Sequence, residues 1–198
     1  DVIEVAAITT SGGDGVATNG NGGAAGAIAF TSTGTTTELN GNITAIGGDA
    51  NGSGTSGAGG QIDFNQAVLL DTGSIRIDAS GGTVGTAGNG GAIAFDGTLN
   101  GARALTLDSA GAVDGDITFT GAVGGGTPLG AVIIDDAKNV AGAGFIAASL
   151  TQTLGSGTTA FTGTVNTTGL NNTVGGVVNI VATAGNIDFA AITTTGGT

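Results

Sequence analysis

One five-residue pattern, Gly-x-Ile-x-Phe, returns five times along the chain: Gly26 to Phe30, Gly60 to Phe64, Gly91 to Phe95, Gly115 to Phe119 and Gly185 to Phe189. Five of the seven Phe residues lie in it. Ile and Phe separated by one residue follow the period of a β-strand, which sends every second side chain to the same face. The residues after the Phe also repeat. Phe95-Asp96-Gly97-Thr98-Leu99, Phe119-Thr120-Gly121-Ala122-Val123 and Phe161-Thr162-Gly163-Thr164-Val165 each end a strand, turn near Gly and begin another strand at Leu or Val. From Phe30 through Phe64 and Phe95 to Phe119 the separations are 34, 31 and 24 residues. Those lengths suit one coil of three short strands, stacked so that neighbours bury each other's apolar side.

The pattern predicts an all-β chain folded as a right-handed parallel β-helix, a β-solenoid of about 7 to 8 coils and roughly 35 Å in length. Its core is expected to be a ladder of Ile28, Phe30, Ile62, Phe64, Ile93, Phe95, Ile117, Phe119, Ile187 and Phe189. The alternative is a β-sandwich, because six Asn-Gly and three Asp-Gly pairs are also hairpin signals. A sandwich gives no reason for one strand motif to return at a coil length. No helical pattern of useful length interrupts the chain. The Gly-rich stretches from Gly12 to Gly26, Gly47 to Gly60 and Gly81 to Gly91 read as loops bulging from one edge. Between Thr120 and Ala160 the pattern breaks: Val132-Ile133-Ile134 and Phe145-Ile146 are strand-like but out of phase.

The two ends resemble each other. Ile3 to Gly13 matches Ile187 to Gly197 at an offset of 184, sharing Ala-Ala-Ile-Thr-Thr. Either the second segment is another coil, or residues 1–198 are a single segment forming one period of a longer tandem array. The sequence starts at Asp1 and holds no Met, which reads as a mature product or an excised piece. Neither end carries a visible polar cap, so the expected partner is self: a second copy head to tail, or further repeats in the same chain.

Composition narrows the chemistry. The chain has 3 basic and 15 acidic residues, a net charge of −12, and no Cys, His, Met, Trp or Tyr. Thiolate and imidazole metal sites and His-dependent triads are therefore excluded. Three basic residues cannot neutralise a phosphate backbone, so no nucleic-acid partner is expected. No apolar run reaches bilayer length, so no membrane insertion is expected. Hydrophobic residues at 39% with a single Pro argue against disorder, although Gly numbers 43.

The Gly-x-Ile-x-Phe-x-Gly-x-Val pattern, the Ala/Gly/Thr/Asn/Asp bias and the missing Cys resemble the β-strand-repeat regions of large bacterial surface proteins, of the filamentous-haemagglutinin and autotransporter-passenger type. The resemblance covers most of the chain but not residues 120–160. It implies an extracellular or cell-surface location and a structural role in a fibre, stalk or adhesin, with cell-surface carbohydrate or protein as a further partner. It supplies no catalytic motif, and an enzyme is not expected. The rival within the class is a passive stalk of a giant adhesin.

Other chemistries also have candidate residues. Asp114, Asp116, Asp135 and Asp136 resemble the paired acids of a carbohydrate-active β-helix, but no His and no basic clamp accompanies them. No cofactor is expected. Ca2+ is the one ion with candidate ligands, Asp14, Asp49 and Asn51 in Gly-rich loops, outside any calcium-repeat motif. Gly-rich loops that lead into strands and lack Lys do not form a phosphate cradle. Thr-x-Thr at Thr31, Thr35, Thr151 and Thr162 raises an ice-binding solenoid, at spacings too irregular for a flat array. Asn42-Ile43-Thr44 and Asn171-Asn172-Thr173 are glycosylation sequons in a suitable host.

Overall fold

The computed structural model describes residues 2–31, 34–168 and 174–197, and they form a parallel β-helix. Among the described residues there are eighteen β-strands and no helix, and the paired strands run parallel. That parallel pairing excludes the sandwich, whose hairpins are antiparallel.

Three faces wrap one core. The first begins with β1 (Val2–Val5), β4 (Thr36–Leu39), β7 (Ala67–Leu70) and β10 (Leu99–Asn100). The second carries β2 (Ile8–Thr9), β5 (Ile43–Thr44), β8 (Ile75–Asp78), β11 (Leu105–Asp108) and β13 (Leu129–Ala137). The third carries β3 (Ile28–Phe30), β6 (Ile62–Phe64), β9 (Ile93–Phe95), β12 (Ile117–Phe119) and β14 (Val140–Gly142). Two long strands then bend around corners. β15 (Phe145–Gly155) passes from the first face to the second, and β16 (Thr159–Asn166) from the third to the first. They join the second and third faces into one sheet of 14 strands. β17 (Val178–Ile180) stacks on β15, and β18 (Ile187–Thr193) stacks on β16.

The core follows the two-residue period. Ile28, Ile62, Ile93 and Ile117 stand in register, and Phe30, Phe64, Phe95 and Phe119 form the adjoining column. The rings of Phe30, Phe64 and Phe95 stack at 4.8 and 4.9 Å with planes within 6° of parallel. That spacing is the distance between hydrogen-bonded strands, so the rings climb the coil ladder one per level. Each buried Phe is worth roughly 1.5–3 kcal/mol of burial.

At the next level the column loses its Phe. Gly142 pairs with both Phe119 and Phe161, and it is the one position in this register without a ring. Phe145, three residues on and fully buried, fills the gap from the corner. It meets Phe119 edge-on at 5.7 Å and Phe161 at 5.4 Å. All seven Phe residues thus form one chain of ring contacts from Phe30 to Phe189. The expected phase break is also resolved on the second face: Val132 and Ile134 lie in register with Leu105 and Leu107 and are buried. The coil length changes there, and a bulge falls between Leu107 and Asp108.

The Gly-rich stretches are not loose loops. They form a thin flange in which backbone packs on backbone. Gly23 N–H donates to Gly13 O, Gly48 N–H to Gly23 O, Gly57 N–H to Gly48 O and Gly82 N–H to Gly57 O, at 2.7–3.0 Å. These bonds run alternately within one coil of the flange and from one coil to the next. A Cβ on Gly57 would lie 1.8 Å from Gly23 O, so the close approach itself demands Gly.

Two features mark the ends. Ile187 keeps the ladder register, opposite Thr159, but is 49% exposed because no described coil covers it. Phe189 is half-buried for the same reason. The matched end segments occupy different faces: Ile3 lies on the first face and Ile8 on the second, whereas Ile187 lies on the third and Ile192 on the first. The offset of 184 therefore relates two strand–corner–strand units rather than equivalent coil positions.

Candidate functional site

The surface with the most organised chemistry is the set of coil-to-coil contacts. At the corner preceding the third face, each coil offers a side-chain oxygen to the amide above it. Asp116 Oδ1 accepts Asn139 N–H at 3.2 Å, Asn139 Oδ1 accepts Thr158 N–H at 2.8 Å, and Thr158 Oγ1 accepts Asn186 N–H at 3.2 Å. The flange repeats the device. Asp14 Oδ1 accepts Asp49 N–H at 2.9 Å, and Asp49 Oδ1 accepts Thr83 N–H at 2.7 Å. Asn19 and Asn21 accept Ser53 and Thr55 N–H in the same way. Short polar side chains at corners are thus spent on the next coil's orphan amides.

Two of the three residues expected at a calcium site, Asp14 and Asp49, take part in those bonds. Asp14 and Asp49 each give one carboxylate oxygen to the main chain, and the amides of Thr83 and Val84 hold the Asp49 carboxyl below its ordinary range. Asn51 N–H donates to Gly20 O, and its side chain makes no hydrogen bond among the described residues. Asp14 and Asp49 line a groove of about 330 Å³ with Ser11, Ser80 and Thr83. Among the described residues, no three His, Cys, Asp or Glu side chains gather in a group that could hold a metal ion.

The strongest charge cluster lies on the outer side of the second face. Arg76 Nε meets Asp78 at 3.0 Å, its Nη2 meets Asp108 at 2.5 Å, and its Nη1 meets Asp135 at 2.6 Å. One guanidinium therefore ties three successive coils. Asp78 and Asp108 stand in register, and Asp136 continues their column past a bulge that sets Asp135 aside. Burial raises the Asp108 carboxyl. Burial, reinforced by the neighbouring Asp114 charge, pushes Asp136 up to about 6. Its Oδ1 is buried without a partner among the described residues, which adds to the cost of ionisation.

The four acids of the hydrolase reading do not share a cleft. Asp135 binds Arg76, Asp116 binds Asn139, and Asp114 accepts Gly111 N–H. None of them lines the groove beside the flange, nor a second groove of about 260 Å³ formed by Val123, Phe145, Ile146, Thr164 and their neighbours. The Thr-x-Thr segments do not stack on one another: Thr37 pairs with Val68, Thr151 with Ile133 and Asn179, and Thr164 with Ala191. Asn42 Oδ1 accepts Arg76 N–H, while Ser32, Thr33 and the Asn171-Asn172-Thr173 sequon lie outside the described residues.

Sequence reasoning missed one polar pair inside the core. Gln152 and Thr159 are buried on different faces of the same coil, at positions held by Ile134 and Val140 one coil below. Thr159 Oγ1 donates to Gln152 Oε1 at 2.7 Å, and Gln152 Nε2 donates to Leu154 O at 3.5 Å. The only sequence signal was a polar residue where the ladder calls for Ile.

No family model, curated protein or solved structure matches the chain. Among the described residues, no helix is long and apolar enough to cross a membrane.

Proposed function

We propose that this chain is a structural segment of a secreted bacterial cell-surface fibre or adhesin, a rod whose coil edges pair with a further length of the same kind of chain. The observation that carries the reading is the state of the outermost coils. Val2 and Ile3 at one end are 50% and 38% exposed, and Ile187 and Ile192 at the other are 49% and 48% exposed. All but Val2 stand in the inward-facing columns that bury their counterparts in the middle coils. Parallel strand edges with apolar residues in core register are complementary to another such coil. Contact of one end with the other is heterologous and does not close, so it propagates along one axis. The cross-coil hydrogen bonds and the Arg76 clamp hold successive coils together along that axis.

Electron microscopy of the purified chain, over a range of concentrations and with or without calcium, tests this. Rods of even width that lengthen with concentration support pairing between copies. Short particles of one size at every concentration refute assembly between copies, and leave a stalk whose coils continue within one chain.

A further inference from the structure

The sequence holds six Asn-Gly pairs, beginning at Asn19, Asn21, Asn40, Asn51, Asn89 and Asn100. Such a pair can lose its side-chain amide. The Gly nitrogen, after giving up its proton, attacks the Asn Cγ. Ammonia leaves, and the resulting succinimide takes up water to give Asp or isoaspartate. Gly permits this because no Cβ blocks the close approach. The Asn carboxamide and the Gly N–H must both be free to move.

In this fold five of the six pairs are held by at least one hydrogen bond, three of them at both groups. Asn19 Oδ1 accepts Ser53 N–H, and Gly20 N–H donates to Ala17 O. Asn21 Oδ1 accepts Thr55 N–H, and Gly22 N–H donates to Thr55 O. Asn100 Oδ1 accepts the amides of Gly126 and Thr127, and Gly101 N–H donates to Thr127 O. Two pairs are half tied: Asn40 Oδ1 accepts the Thr72 hydroxyl, and Gly90 N–H, after Asn89, donates to Val113 O. Asn51 and Gly52 are both exposed at the flange tip, and neither the Asn51 side chain nor the Gly52 N–H has a partner among the described residues.

We infer that Asn51-Gly52 is the site at which the folded protein deamidates, with water as the sole co-reactant. The product places a new carboxylate two residues from Asp49. In its isoaspartyl form it lengthens the main chain by one carbon beside the Asn51 N–H bond to Gly20 O, which joins this coil to the one below. An isoaspartate exposed at a flange tip is also the chemical class of substrate that carboxyl-methylating repair enzymes take.

Incubation of the folded chain at pH 7.4 and 37 °C, followed by peptide mapping, tests the assignment. The gain of about one dalton is expected first at Asn51, at least about tenfold faster than at Asn19, Asn21 or Asn100, the factor set by about 1.4 kcal/mol of hydrogen bonding lost before reaction. In guanidinium, where the bonds are gone, the six rates should converge. Asn51→Gln should remove the early product and leave the other five traces unchanged. Equal rates at Asn51 and Asn21 in the folded protein, or an Asn51 lead that survives unfolding, would overturn the inference.

Discussion

Phe145 offers the sharpest test of the core. It supplies from the corner the ring that Gly142 does not supply from the column, and it is fully buried between Phe119 and Phe161. Phe145→Ala should cost about 3–5 kcal/mol, the usual loss for a buried Phe whose cavity cannot collapse. Gly142→Phe alone should also destabilise, by about 1–3 kcal/mol, because the site is already full. A Cβ there would lie 2.8 Å from the Phe161 ring. In the double variant the new ring takes the column position that Phe119 and Phe161 hold on either side, and the space vacated at residue 145 receives it. The double variant should therefore be at least about 2 kcal/mol more stable than the sum of the single effects, a coupling typical of residues in contact. Urea unfolding followed by circular dichroism gives the three free energies. Hydrogen exchange at the Val140 and Val165 amides localises the change, since a solenoid can open coil by coil. A loss below about 1 kcal/mol in Phe145→Ala, the range of an ordinary substitution, would refute the compensation. So would simple additivity in the double variant.

Gly57→Ala should lower the melting temperature, because its Cβ would lie 1.8 Å from Gly23 O; Gly13→Ala, with nothing within 4 Å, should shift stability by less than about 0.5 kcal/mol, and equal effects would reject the backbone-packed flange. Acidification should stabilise the fold: the folded pKa of Asp136, about 6, lies above its unfolded value, so its contribution is fully present below the unfolded pKa and lost as pH rises through about 6. A melting temperature that climbed steadily from pH 5 to pH 8, or a pH profile unchanged by Asp136→Asn, would contradict this. Arg76→Met should leave the in-register carboxylates of Asp78 and Asp108, with Asp135, unneutralised, and the loss should shrink in high salt; a salt-independent effect would show that the clamp acts by packing alone. Gln152→Leu and Thr159→Val should each destabilise, since each strands a buried polar group, whereas the pair together should come close to wild type in urea unfolding.

The strands and the Ile and Phe columns were legible in the sequence because both depend on a local period of two and a coil-length recurrence. Ile28 through Phe119 could be aligned by eye for that reason. Phe145 could not, because its partner is an absence at Gly142 that only stacking reveals. The Gly-rich stretches read as loops because composition records flexibility in the unfolded chain. It does not record that two Gly backbones can pack and hydrogen-bond where side chains would collide. Arg76 and Asp135 are 59 residues apart, with no spacing rule to connect them. Asp14 and Asp49 were legible as oxygen-rich positions, but the use of their oxygens on the next coil's amides depends on vertical register.

The two kinds of interior explain why coil length varies while the stacking stays regular. From Phe30 to Phe119 the third-face separations shorten from 34 to 24 residues, and from Gly142 to Phe161 only 19 residues complete a coil. The apolar columns change little over that span, so the core cross-section is not what the extra residues fill. They fill the flange, whose interior is held by hydrogen bonds between Gly backbones rather than by apolar burial. A flange of that kind can grow or shrink in steps without disturbing Ile and Phe packing. Where it shortens, at residues 109–116 and 138–139, the corner oxygens of Asp116 and Asn139 take over the cross-coil bonds. The largest variation in coil length is therefore confined to one corner. The second face keeps its parallel pairing from β2 to β17, with its bulge at Leu107/Asp108 absorbed inside the strand.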